Sequence, residues 1–159
     1  MKKILVLLLG MLLASVVWAD SDDSGILKFK TMVGVSGPFL GSATPQTPIQ
    51  GVLGAGAAWT ISEGRGELNS EGELEVHVRG LVLVKTGQNP LPNFRAALSC
   101  QSIDATGKPT TIVVSTEDFP ATPAGDARIE AKVDVPSPCF APIVFVTTSA
   151  GRWIAVTGH

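Results

Sequence analysis

The chain has 159 residues, with 12 Lys and Arg against 14 Asp and Glu, two His, two Cys and a formal net charge of −2. That slight acidity, with no dense Lys/Arg run anywhere, excludes nucleic acid and anionic lipid as expected partners. With 45% hydrophobic residues at this length, the chain suits one domain able to bury its own core.

Residues 1–19 read as a secretory signal peptide. Lys2 and Lys3 form a basic n-region, Ile4 to Leu13 is an apolar run broken only by Gly10, and Val17-Trp18-Ala19 supplies the cleavage site. The run is short for a span of about 20 residues, and no second apolar run follows, so no membrane span is expected after cleavage. Removing 19 of 159 residues leaves 140, Asp20 to His159; without Lys2 and Lys3 the basic residues fall from 12 to 10, against 14 acidic, a formal charge of −4. The expected location is secreted or periplasmic. Residues 20–26 form an acidic, flexible leader. Its Asp20-Ser21-Asp22-Asp23-Ser24-Gly25 run has Asp at alternate positions and Gly at the sixth, as a calcium loop does. Thr31 stands where the bidentate Glu is needed, which leaves a solvated tail.

Residues 27–159 read as one β domain. Leu27, Phe29, Thr31, Val33 and Val35 alternate as in a half-buried strand that Gly37-Pro38 ends. Residues 38–56 are rich in Pro, Gly, Ser and Thr and read as a long surface connection. Trp59 and Ile61 begin a second strand that runs to Leu68 and turns at Asn69-Ser70-Glu71-Gly72 into a third. There Leu74, Val76 and Val78 face one way while Glu73, Glu75, His77 and Arg79 face the other. Leu81 to Val84 is a short apolar run before the loop KTGQNPLPN. Phe94, Ala96, Leu98 and Cys100 alternate, and Ile112-Val113-Val114 follows the DATGKP turn. Ala127 to Val135 alternate against Arg128, Glu130, Lys132 and Asp134. Ile143 to Val146 reads as a central strand buried on both faces. Trp153 to Thr157 is the final strand.

About eight short strands without a long amphipathic helix predict an all-β fold, an antiparallel β-sandwich of immunoglobulin-like or jelly-roll-like form. An immunoglobulin domain proper is not implied, because no Trp lies between the cysteines and there is no Tyr. Cys100 and Cys139 lack C-x-x-C spacing and have no His nearby. In an exported chain they predict one disulfide, stabilising by roughly 4 kcal/mol in the chain-entropy model and joining two strands or two sheets.

Few residues suggest chemistry. GVLGAGAAW, Gly51 to Trp59, resembles a phosphate loop in composition, but a Pro-rich loop precedes it and a β-forming run follows, so no cofactor is expected. Glu73, Glu75 and His77 share one strand face and are the candidate metal ligands. Glu73 and His77 lie about 13 Å apart along the strand, too far to share an ion without bending. A solvated face of mixed charge and no metal are therefore expected, and a further acid met across the sheet would raise the metal reading. No G-x-S-x-G elbow occurs, and His77 and the terminal His159 are the only His available to a triad. Glu63, Glu67, Glu117 and Asp118 show no spacing that selects a glycosidase pair. Trp59 and Trp153 fall at core phases. Arg95 is expected at the surface and Asp126 in a turn.

Three segments resemble a family of small exported microbial proteins of no assigned function: NPLPNFRAALSC (89–100), FPATPAGDARIEAKVDVPSPCFAPIVFVTT (119–148) and WIAVTG (153–158). The resemblance implies structural strands around the two cysteines and no catalytic residues. GRGELNSEGELEVHVRGL (64–81) resembles a hairpin of chordin-type β-domains, although VLVKTGQNP replaces the His-containing segment that usually follows there. The expectation is an exported, non-catalytic protein that binds an unknown protein or surface ligand, or has a structural role. The alternative is a secreted hydrolase or ligand-binding protein whose site is built by loops 37–58 and 84–93.

Overall fold

A computed structural model describes residues 25–158. The predicted signal peptide, residues 20–24 of the leader and His159 lie outside the described residues. Gly25 and Ile26, assigned to the leader from sequence, open the first strand.

The fold is all-β, with antiparallel sheets packed together. Sheet A holds β1 (Gly25–Phe29), β4 (Glu63–Asn69), β5 (Glu73–Arg79) and β10 (Ala127–Lys132), in the order β1-β4-β5-β10. Sheet B holds β2 (Met32–Gly34), β12 (Trp153–Thr157), β11 (Phe140–Thr147), β7 (Asn93–Ile103) and β8 (Pro109–Ser115), in the order β2-β12-β11-β7-β8. The short β9 (Phe119–Pro120) adds to β7, and β3 (Trp59–Thr60) pairs with β6 (Val82–Leu83).

Two predicted strands are divided. Residues 27–35 bend at Lys30, so β1 lies in sheet A and β2 in sheet B. The alternation changes phase at the crossing. Phe29 and Met32 are both buried, while Val33 turns outward with 57% exposure. The second predicted strand likewise breaks between Thr60 and Glu63. Prediction and structure agree on the central position of β11, where Val144 to Thr147 are all buried between β12 and β7.

Leu68, Leu74, Val76 and Val78 of sheet A meet Phe94, Ala96, Leu98 and Val144 of sheet B in one buried cluster. Each Val, Leu or Phe side chain among them contributes roughly 1.5–3 kcal/mol when fully buried. The disulfide is formed: Cys100 of β7 bonds Cys139, with Cα atoms 4.9 Å apart. Since β11 pairs with β7 from Phe140 opposite Gln101, the bridge joins neighbouring strands within one sheet.

The long connection 37–58 roofs the centre of the outer face of sheet B, leaving Val33 of β2 and Val113 of β8 exposed at its margins. Register places Phe145 opposite Ala97 and Ile143 opposite Ser99, on the face turned away from sheet A. Gly54 bridges Trp153 in parallel, Ala55 N–H donates to Trp153 C=O at 2.9 Å, and Trp153 N–H donates to Leu53 C=O at 3.1 Å. Phe39 and Phe145 pack against the Trp153 ring at 6.2 and 6.1 Å between centroids. Ser99 Oγ donates to Gln50 Oε1 at 2.6 Å, and Gln50 Nε2 donates to Ala141 C=O at 3.0 Å. Val52 and Ala55 are buried as a result.

Candidate functional site

With the centre of sheet B roofed, the outer face of sheet A is an open polar surface among the described residues. Its register comes from local chemistry. In the β4–β5 hairpin, Asn69 Oδ1 accepts from the N–H groups of Glu71 (3.0 Å) and Glu73 (2.9 Å), and Gly72 N–H donates to Asn69 C=O. Gly72 has φ +84°, which favours glycine, and a Cβ there would collide with the Val133 carbonyl. This turn sets Glu67 opposite Glu75 and Arg65 opposite His77. On the other side Asp126 Oδ1 accepts from Gly80 N–H at 2.9 Å, beside the β5–β10 ladder in which Glu130 lies opposite Glu75 and Arg128 opposite His77.

Charged side chains therefore cross the sheet in rows, one mostly acidic and the next carrying two arginines. One row is Lys28–Glu67–Glu75–Glu130, and the next is Arg65–His77–Arg128. Like charges directly opposite one another destabilise a sheet, so three glutamates in register need compensation. Lys28 Nζ lies 3.2 Å from Glu67 Oε2. His77 Nε2 donates to Glu75 Oε1 at 2.5 Å, and an Arg128 guanidinium nitrogen donates to the same oxygen at 3.0 Å and also pairs with Glu130. The His77 hydrogen bond holds the Glu75 carboxyl below the usual range. Desolvation opposes this, and the Arg128 charge reinforces it. Shallow grooves border the rows, one of about 380 Å³ lined by Glu67, Glu73, Glu75, Glu130 and Lys132 among others.

Two of the three candidate metal ligands are brought together. Glu75 and His77 converge with Glu130, their donor atoms all within 4.8 Å of one another. Glu130 is the acid from a neighbouring strand that the sequence could not place. Glu73 stays apart, accepting from Asn69 Nδ2 at 2.8 Å. One imidazole and two carboxylates are donors that zinc and similar ions accept. Arg128, however, already pairs with both carboxylates from within the cluster and offsets one of their two charges.

Other candidates resolve as structure. Arg95 Nε donates to Asp118 Oδ1 at 2.7 Å, and its terminal nitrogen donates to Oδ2 at 3.2 Å. Ser149 Oγ also donates to Asp118 Oδ1 at 2.8 Å. The Arg95 hydrogen bonds lead, followed by that of Ser149, in lowering the Asp118 carboxyl. This bidentate pair was not legible beforehand, because 23 residues separate its members. Trp59 and Trp153 are buried at 5% and 2% exposure, as core phases require. In loop 84–93, Asn89 is buried and its Nδ2 donates to the carbonyls of Leu91 (2.7 Å) and Thr122 (2.9 Å), which fastens that loop to the 121–125 segment. The grooves described above line sheet A and not loops 37–58 and 84–93. No helix among the described residues is long and apolar enough to cross a membrane.

Comparison of the chain with protein-family models, curated proteins and solved structures finds no match.

Proposed function

We propose that this is an exported, non-catalytic β-sandwich protein that binds a charged partner outside the cytoplasm through the outer face of sheet A. The observation that carries the reading is the inequality of the two sheets. The chain commits residues 37–58 to covering the centre of sheet B but leaves the charge rows of sheet A bare. A flat array of paired charges offers electrostatic complementarity to a surface. It does not supply the enclosed apolar pocket typical of a small-molecule site. The Cys100–Cys139 bond suits an oxidising compartment, in keeping with the export signal read in residues 1–19.

The test is capture from the extracytoplasmic fraction by the mature chain, compared with Arg65→Gln/Arg128→Gln. Both positions are exposed, so the double variant is expected to keep the wild-type circular dichroism spectrum. A species retained by the wild type and lost with the double variant supports the reading. Identical captured sets, or turnover of a captured small molecule, would overturn it. Zinc is the informative control. With Arg128 serving as counter-charge, the wild-type chain is expected to come through dialysis without bound zinc. Stoichiometric zinc lost in His77→Ala would make the cluster a metal centre instead.

A further inference from the structure

The four terminal strands of the two large sheets are not protected alike. β1 carries Lys28 and a register irregularity, β10 carries Arg128, Glu130 and Lys132, and β2 has only three residues. Charge, proline, bulges and shortness are among the devices that keep sheet edges from pairing with other chains. β8 has none of them along Thr110–Ser115. Its seven residues, PTTIVVS, are uncharged, and Ile112 and Val113 are 37% and 42% exposed.

Backbone direction is also settled. Thr116 N–H donates to Ala96 C=O at 2.9 Å, and Lys108 C=O accepts from Asp104 N–H at 2.9 Å. In the same register, Ile112 lies opposite Cys100 and Val114 opposite Leu98. Even-numbered residues thus turn their backbone groups toward β7. By strand alternation, the N–H and C=O of Thr111, Val113 and Ser115 point to the free edge. No other strand among the described residues pairs there.

We propose that β8 is a self-association edge, pairing antiparallel with β8 of a second copy about a two-fold axis through Val113. The strand's own sequence selects this occupant. Centred on Val113, the pairing sets Thr111 opposite Ser115, Ile112 opposite Val114 and Val113 opposite Val113 of the second copy. Like chemistry therefore meets like on both faces, as favourable cross-strand pairs require. Pro109, the residue without an N–H, falls outside the bonded stretch. Lys108 stands at one end of the strand and Glu117 just beyond the other, so the antiparallel arrangement brings Lys108 of each copy toward Glu117 of its mate. A parallel arrangement would set like charges together. Each copy spends the one unguarded edge that its two large sheets have among the described residues, so the assembly closes at two. One edge ladder is a small interface, and the dimer is therefore concentration-dependent.

Sedimentation of the mature chain over a concentration series tests this, with amide hydrogen exchange as a second reading. The expected result is a doubling of mass with concentration, accompanied by slowed exchange at Thr111, Val113 and Ser115. Val113→Lys, at an exposed position, is expected to weaken association at least about tenfold while leaving circular dichroism unchanged. Thr111→Lys is a second variant with the same expectation, should the first fail to fold. A monomer at all concentrations, an open-ended series, or a dimer indifferent to both substitutions would overturn the proposal. Exchange protection at those amides that is independent of concentration would also overturn it, since another segment of the same chain would then cover the edge.

Discussion

The three glycines of GVLGAGAAW differ in what holds them, and this difference tests the roof over sheet B. At Gly54 an added Cβ would run into the Phe39 carbonyl and stand 2.7 Å from Val35 Cγ2. Neither neighbour yields easily, because one is backbone and the other belongs to a fully buried side chain. Overpacking of this kind costs about 1–3 kcal/mol, so Gly54→Ala should lower stability by that amount. Gly51 meets nothing within 4 Å, but its φ of +79° is a conformation that alanine resists. Gly51→Ala should cost about 1–2 kcal/mol through the backbone alone. Gly56 has open space and no left-handed φ, so Gly56→Ala should stay within about 0.5 kcal/mol of wild type. Urea unfolding of the three variants gives the ranking. Hydrogen exchange gives the location: the amides of Ala55 and Trp153, which tie the roof to β12, should exchange faster in Gly54→Ala while that of Val76 does not. A Gly54→Ala protein as stable as Gly56→Ala, with unchanged exchange at Ala55, would refute a packed roof.

Three further outcomes are expected. Replacing Cys100 and Cys139 by Ala opens a loop of sequence separation 39, which the chain-entropy model equates with roughly 4 kcal/mol; a loss under about 1 kcal/mol in reversible urea unfolding would contradict that model here. Glu75, whose carboxyl is lowered by its His77 hydrogen bond and by Arg128, contributes stability that is present above the unfolded-state value and lost as pH falls through the folded one. The stability difference between wild type and Glu75→Gln should therefore close on acidification from neutral pH, and a difference that widens would reverse the sign assigned to this network. Intact-mass analysis of exported protein should find a chain beginning at Asp20 and two mass units below the dithiol, whereas a chain retaining Met1 would remove the export reading.

Legibility in the sequence followed the range of the interactions. Period-two patterning located β5 and β10 because one face of each is decided by burial, while β11 was legible from its unbroken apolar run and β12 from the turn before it. The same patterning failed at residues 27–35. A strand that crosses from one sheet to the other exchanges its buried phase at the crossing, and alternation alone cannot mark the bend at Lys30. Residues 37–58 offered no periodicity, so their packing on Trp153 and Phe145 stayed hidden, although the small residues of VLGAGA are what permit the close approach. Glu75 and His77 could be placed on one face from their spacing. Glu130 and Arg128, which complete and partly neutralise their cluster, lie more than 50 positions away and became neighbours only through the β5–β10 register.

Hydroxyl-radical footprinting of the folded mature chain tests most directly that residues 37–58 cover the centre of sheet B while sheet A is left open. His77 on sheet A and the exposed Phe140, with 56% of its surface accessible, should be modified rapidly, while Trp153 and Phe145 beneath residues 37–58 should be protected. Modification of Trp153 and Phe145 at the rate of Phe140 would mean that both sheets are open, and the assignment of binding to sheet A would fall with it.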